Sequence, residues 1–425
     1  PAVAAARVEL ADRIAFHAWL QRRCDDQLAA AQAAARAAGM AVGIVHDLAV
    51  GVDPGGADAW SLQDILAVDA TVGAPPDTFN QQGQDWGLPP WRPSALAETG
   101  YAPLRQMVAA VLSRGGGLRV DHILGLFRLW WIPPGAGAAR GTYVRYDAAA
   151  MLGVIALEAD RAGALVVGED LGTVEPSVAT TLTGAGVLGS TVLWFERDGD
   201  GAALPPARYR TATMASLTTH DLPTAAGYLE GEHVRVRAGL GLLSRSARAE
   251  WAGWRAERDD LIDLLRAEGL LRAEGLLGAD IAARTAGDQA VGDQAAGDQA
   301  AGDGERQFAP EVRAELALAL HRLLVRSPCR VVLAAPGDAL GDLHQPNLPG
   351  TIDEYPNWRL PVRDGDGAEV TIERLLVDPA VARLAAVLGE VQSDPAAPTS
   401  PPPGGLPAAG GPSIPLTEDP GPTYR

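Results

Sequence analysis

The chain has 425 residues with 35 Lys and Arg against 53 Asp and Glu, for a formal net charge of −18, and 47% of its residues are hydrophobic. That length accommodates one large domain of the barrel type, and the acidic balance argues against nucleic acid or an anionic membrane as partner, since both favour a basic face. No apolar run reaches the length of a membrane span, PAVAAARVEL at the start lacks a basic-then-apolar signal pattern, and Cys24 and Cys329 read as buried free thiols of a reducing cytoplasm.

In chain order, residues 11–38 are rich in Ala, Arg, Gln and Leu without a breaker, which predicts a long helix closed by Gly39 in the left-handed conformation. The nearly continuous apolar run 41–52 predicts a strand buried on both faces of a parallel sheet. Gly55 to Gly100, with GAPPD (73–77) and GQDWGLPPWRP (83–93), is too long for an ordinary βα loop and predicts a long irregular insertion. Further strands are predicted at Leu118–Asp121, Leu165–Glu169, Ser190–Phe195, Met214–His220 and Arg330–Ala335, with helical stretches such as 103–114 and 148–162 between them.

This alternation predicts an α/β fold with a parallel sheet and right-handed crossovers. Six strands are two short of eight, so the expectation is a (β/α)8 TIM-type barrel lacking its first two βα units. Residues 1–392 would form this partial barrel, including a loop subdomain at 53–100. Residues 286–304, which repeat AGDQA, are an acidic low-complexity insertion, and 393–425 are a disordered Pro/Gly-rich tail.

Three of these strand ends present acids: Asp121 closes LRVD, Glu169 closes ALVVGE, and Asp221 follows His220 in ASLTTHD. In a closed parallel barrel the strand C-termini converge on one face, so carboxylates from different strands can meet. Retaining glycosyl chemistry needs such a set. One carboxylate attacks the anomeric carbon and a second, about 5–5.5 Å away, protonates the leaving oxygen. Other readings stay open at this level. A strand-end Asp can simply cap a helix, and His220-Asp221 before Leu222-Pro223 can start one. Asp121, His122, Asp170, His220 and Asp221 could serve a metal-dependent barrel hydrolase, although no tight helical ligand pair is present. Trp86, Trp91, Trp130 and Trp131 could serve a sugar-binding barrel without catalysis; within GLFRLWWIP, however, Trp130 and Trp131 read better as packing than as a sugar platform.

Taken together, GLRVDHILGLFRLWWIP, VVGEDLGTVEP, SLTTHDLPT, GAPPDTFNQQGQDWGLPP and NLPGTIDEYPNWR resemble the 4-α-glucanotransferases (amylomaltases, disproportionating enzymes) of the α-amylase superfamily, over about residues 40–360. The resemblance implies a (β/α)8 barrel and retaining transfer between maltooligosaccharides or α-1,4-glucans, with no metal or organic cofactor. It implies Asp121 as nucleophile held by Arg119, Glu169 as general acid/base, and Asp221 as transition-state stabiliser with His220 beside it. It further implies sugar contacts from Asp77, Trp86, Asn347 and Gly350, and a structural seal from Tyr355, Asn357, Trp358 and Arg359. The family commonly carries Asn where Asp85 stands, which adds a charge near the site. An α-glucan hydrolase shares these motifs and is the alternative. In either case Glu169 is expected to be pushed up by burial and by the charge of Asp121.

Overall fold

The computed structural model describes residues 2–76, 83–172, 176–243, 245–271 and 308–390. The strands in chain order are β1 (Val45–Leu48), β2 (Thr71–Ala74), β3 (Gln84–Leu88), β4 (Gly117–Val120), β5 (Arg128–Ile132), β6 (Thr142–Arg145), β7 (Leu165–Gly168), β8 (Gly189–Val192), β9 (Thr213–Ser216) and β10 (Val331–Val332). β4 pairs in parallel with β1 on one side and β7 on the other, and β9 pairs in parallel with β8 and β10. The two groups join where Val167 bridges Leu188 in parallel, with the Gly168 amide donating to the Leu188 carbonyl at 2.7 Å. The result is one parallel succession, β1-β4-β7-β8-β9-β10, running in sequence order.

Helices supply the crossovers because their apolar faces need the sheet. Helix Ala102–Leu112 buries Leu104, Val108 and Leu112, and helix Ala148–Ala162 buries Met151, Leu152, Ile155 and Ala159. Both pack with Leu118, Val120 and Val166 of β4 and β7 in one core cluster. Each aliphatic side chain so buried contributes about 1.5–3 kcal/mol. The second helix is delimited by local chemistry: the Asp147 carboxylate accepts from the Ala150 amide at 3.0 Å, and Gly163 closes the helix at φ 59°. A second cluster gathers Val192, Ala215, Leu261, Leu316 and Leu320 around β8 and β9.

Several expectations change. The first strand is not buried on both faces: it spans only Val45–Leu48, with Val45 and Asp47 exposed. Among the described residues it pairs along one edge only, and its own His46 and Asp47 interrupt the apolar run. The insertion is not simply irregular. Its β2 and β3 join β5 and β6, from the loop after β4, in an antiparallel sheet of order β3-β2-β5-β6. That pairing lies between segments distant in sequence, and period-two reading of either segment alone does not reveal it. The later strands are shorter than predicted, since the chain turns into a 3-10 turn at Leu193–Phe195 and leaves β9 at Ser216.

The long N-terminal helix forms over Ala11–Ala37, with Gly39 at φ 89°, but it buries none of its side chains, and Phe16 and Trp19 lie exposed on it. Cys24, on the same helix, is exposed rather than buried, and Cys329 is half-buried. Among the described residues no helix is long and apolar enough to cross a membrane. The repeats at 286–304 and the tail at 393–425 lie outside the described residues.

Candidate active site

Parallel register brings the first two acids together. Val120 of β4 is partnered with Gly168 of β7, so the next residues, Asp121 and Glu169, leave adjacent strand tips side by side. The Glu169 amide donates to the Val120 carbonyl at 2.9 Å, and the Ile123 amide donates to the Glu169 carbonyl at 2.9 Å. Gly168 is required at the tip, because a Cβ there would lie 2.3 Å from Cδ1 of the fully buried Ile123.

Arg119 sits on the same face of β4 as Asp121, two residues earlier. Its Nη2 lies 3.0 Å from Asp121 Oδ1. Its Nη1 donates to both carboxylate oxygens of Asp47, at 2.7 and 2.8 Å. Asp47 faces Arg119 across the β1–β4 ladder. The guanidinium, only 17% exposed, therefore spans two carboxylates and is fixed by both. Asp47 was not among the sequence candidates; its only signal was a polar His-Asp pair inside an apolar run.

Glu169 is half-buried, and both its oxygens are engaged: Oε1 accepts from the Leu171 amide at 2.7 Å and Oε2 from the His122 amide at 3.0 Å. Burial pushes its carboxyl above the ordinary glutamate value. The Leu171 bond opposes this, Asp121 adds to it, and Arg119 and His122 oppose it more weakly. The net direction is upward, as expected from the sequence. Each oxygen keeps a second lone pair that a proton can occupy.

His122 holds a left-handed conformation at φ 44°, costly for a residue with a Cβ. That turn aims its amide at Glu169 and its ring at Trp86, whose indole meets it edge-on at 5.3 Å. Burial pushes the His122 imidazole below its ordinary value, against the pull of Asp121. Asp121 and His122 line a mostly apolar hollow together with Leu48, Trp91, Met107 and Met151.

Asp221 belongs to a second group. β9 ends at Ser216, so Asp221 stands on a loop rather than at a strand tip. Asn347 Nδ2 donates to its Oδ1 at 2.6 Å, His220 Nε2 lies 3.4 Å from its Oδ2, and Gln345 Nε2 donates to its main-chain carbonyl at 2.7 Å. No hydrogen bond or ion pair among the described residues joins Asp221 to Asp121 or Glu169. Nor does Asp221 cap the following helix: Thr224 does, accepting from the Gly227 amide at 3.0 Å. Gln345 is a second residue that the sequence did not reveal, and no local pattern marks it.

The remaining candidates are more varied. Asp77 lies outside the described residues. Gly350 is an exposed turn residue at φ 85°. Asp85 points to solvent and accepts from the Gly87 amide. Trp130 and Trp131 pack as expected, donating to the Ala138 carbonyl and the Tyr146 hydroxyl. Asp170, a ligand in the metal reading, is buried and takes two bonds from Arg210 and one from the Ser190 amide. Among the described residues no three His, Cys, Asp or Glu side chains stand together as a metal would need. Tyr355 and Asn357 serve as a seal, the Tyr355 hydroxyl donating to the Gln345 carbonyl and Asn357 Oδ1 accepting from the Leu348 amide. Trp358 does not: it is exposed and leans on His220 with ring centres 5.1 Å apart.

Fold and site together define a class: an α/β protein that presents acid side chains at and beyond the C-terminal ends of consecutive parallel strands. Within that class the chain belongs to the 4-alpha-glucanotransferase family, whose sequence profile matches residues 1–366. It is 50% identical over 389 residues to the 4-alpha-glucanotransferases of Mycobacterium bovis and Mycobacterium tuberculosis, a match covering 91% of this chain and 49% of theirs. The 4-alpha-glucanotransferase of Haemophilus influenzae is 33% identical over 349 residues, covering 82% of this chain and 46% of the relative. The chain thus spans about half the length of the curated relatives it matches. Among solved structures, amylomaltase from Corynebacterium glutamicum superposes with a TM-score of 0.76 at 42% identity, over 88% of this chain and 50% of that one. An amylomaltase from Streptococcus agalactiae, solved with acarbose, shares the fold at a TM-score of 0.65 and 18% identity, over 91% of this chain and 64% of that one.

Proposed function

We propose that this chain carries the carboxylate pair for retaining transfer of α-1,4-glucan segments from a donor maltooligosaccharide to the 4-hydroxyl of an acceptor glucan or glucose. Asp121 attacks the anomeric carbon while Glu169 gives its proton to the departing glycosidic oxygen, forming a covalent glycosyl-enzyme intermediate. Glu169, now ionised, takes the proton of the acceptor 4-hydroxyl, which attacks the anomeric carbon and releases Asp121. Asp221 stabilises the charge that develops on the ring. His220, Trp86, Asp77 and Gly350 contact sugar, and Asn347 works by holding Asp221. The chemistry calls for no metal or organic cofactor.

The observation that carries this reading is the pair at the tips of β4 and β7: one carboxylate held by Arg119, the other half-buried with its carboxyl pushed up by burial. The sequence-ordered succession β1-β4-β7-β8-β9-β10 supports placing these strands as six consecutive members of a (β/α)8 barrel, whose strand neighbours follow chain order. A doubly wound sheet reverses strand order at a switch point instead. A cytoplasmic setting, where the unpaired exposed Cys24 stays reduced, completes the reading.

Maltotriose as sole substrate tests it. Transfer yields glucose together with oligomers longer than the substrate, and Asp121→Asn abolishes both. Shorter products alone would point to hydrolysis, and turnover retained in the Asn variant would remove Asp121 from the nucleophile's role.

A further inference from the structure

Trp358 combines two unfavourable features. Its backbone is left-handed at φ 60°, a conformation a bulky side chain rarely adopts. The residue is 65% exposed, leaving a large apolar side chain in water. Such a conformation persists only where the surroundings impose it, and here they do. The Trp358 amide donates to the Pro346 carbonyl at 3.0 Å, tying it to the segment that carries Asn347. The preceding Asn357 is locked by three bonds: Oδ1 accepts from the Leu348 amide at 2.8 Å, and Nδ2 donates to the Thr351 carbonyl at 3.1 Å and hydroxyl at 2.9 Å. This bonded loop delivers the indole to the His220 ring, tilted at 48°, next to the Asp221 carboxylate.

We infer that Trp358 is a sugar-stacking platform on the Asp221 side of the site, binding the apolar C–H face of a glucose unit of the α-glucan. The inference rests on the function proposed above. An indole offers a rigid apolar face that loses little conformational freedom on binding, and ligand sites are lined by such groups with a few placed polar partners. Here the polar partners are His220 and Asp221. The two sides of the site then follow one pattern: Trp86 rests on His122 beside Asp121, and Trp358 rests on His220 beside Asp221. Trp358 takes no part in bond making; it contributes binding and orientation.

Calorimetric titration with maltoheptaose in the Asp121→Asn background, where turnover is blocked, tests the platform. Trp358→Ala is expected to weaken binding about tenfold or more, and Trp358→Phe, which keeps a ring, by no more than about threefold. Trp358→Gly separates binding from structure, because glycine adopts φ 60° without strain. The platform predicts that the Gly variant melts no lower than its parent while binding as poorly as the Ala variant. Undiminished binding in the Ala and Gly variants overturns the platform alone. Failure of the Asp121→Asn parent itself to bind maltoheptaose overturns the α-glucan reading, and the platform with it.

Discussion

Removing the Asp47 carboxylate by Asp47→Ala takes away one of the two anions that fix Arg119, without touching either acid of the pair. Arg119 Nη1 loses its contacts at 2.7 and 2.8 Å but keeps Nη2 at 3.0 Å from Asp121. A hydrogen bond to a charged group is worth about 1.5–3 kcal/mol. Asp47 is half exposed, which brings its share down toward about 1 kcal/mol. With about 1.4 kcal/mol per factor of ten in rate, kcat/KM for maltotriose disproportionation should fall roughly fivefold to tenfold. Arg119→Ala removes the only cation paired with Asp121 among the described residues, from a largely buried position. It should cost about 3 kcal/mol or more, a loss on the order of a hundredfold. If Asp47 acts through Arg119, the double variant is no worse than Arg119→Ala alone, and a double-mutant cycle returns a coupling of about 1 kcal/mol. Strictly additive losses would refute the bridge and give Asp47 an independent role.

Three further outcomes follow from the same geometry. Because the Glu169 carboxyl is pushed up and must be protonated to act, kcat/KM should fall as pH rises through its raised value; Glu169→Gln should abolish that limb and turn over only a donor whose leaving group needs no proton. Gly168→Ala places a Cβ against Ile123 in a filled core and should cost about 1–3 kcal/mol, read as a lower melting temperature, with kcat falling as the Glu169 main chain shifts. Asp338, fully buried and donated to by the Ala225 amide at 2.7 Å, is pushed up to about 6 by burial, while the nearby His321 is pushed down to about 4 by burial and carries no charge to offset it. The folded state therefore holds the Asp338 proton more tightly than the unfolded chain does. Asp338 by itself lowers stability by on the order of 2–3 kcal/mol as pH rises from about 4 through about 6, whereas the depressed His321 raises it over the same window, so Asp338→Asn, which removes only the first contribution, should make the melting temperature climb more steeply with pH than in the parent.

Much of the site was legible along the chain. LRVD and ALVVGE each end a strand in an acid, SLTTHD carries its acid on the loop beyond β9, and the alternation of runs and helices placed six parallel strands in an order that the hydrogen bonding follows. Arg119 was readable as well, because residues two apart on a strand share a face. The antiparallel sheet was not legible, since β2 and β5 recognise each other only across a long segment. Trp358 was expected to belong to a structural seal with Tyr355 and Asn357; its exposure and its left-handed backbone are set by Pro346 and Asn357, contacts that the linear sequence does not show.

By itself, then, the sequence determined which segments alternate between strand and helix, and that Asp121 and Glu169 end adjacent parallel strands. Periodicity and strand-end chemistry are local and survive in the linear text. Only the tertiary structure decided the partners of those acids. Asp47 reaches Arg119 across 72 residues and Asn347 reaches Asp221 across 126, and such pairs exist only once register and packing have closed the chain on itself. The acids are named by their own strands and loops; what orients each of them is supplied from far along the chain.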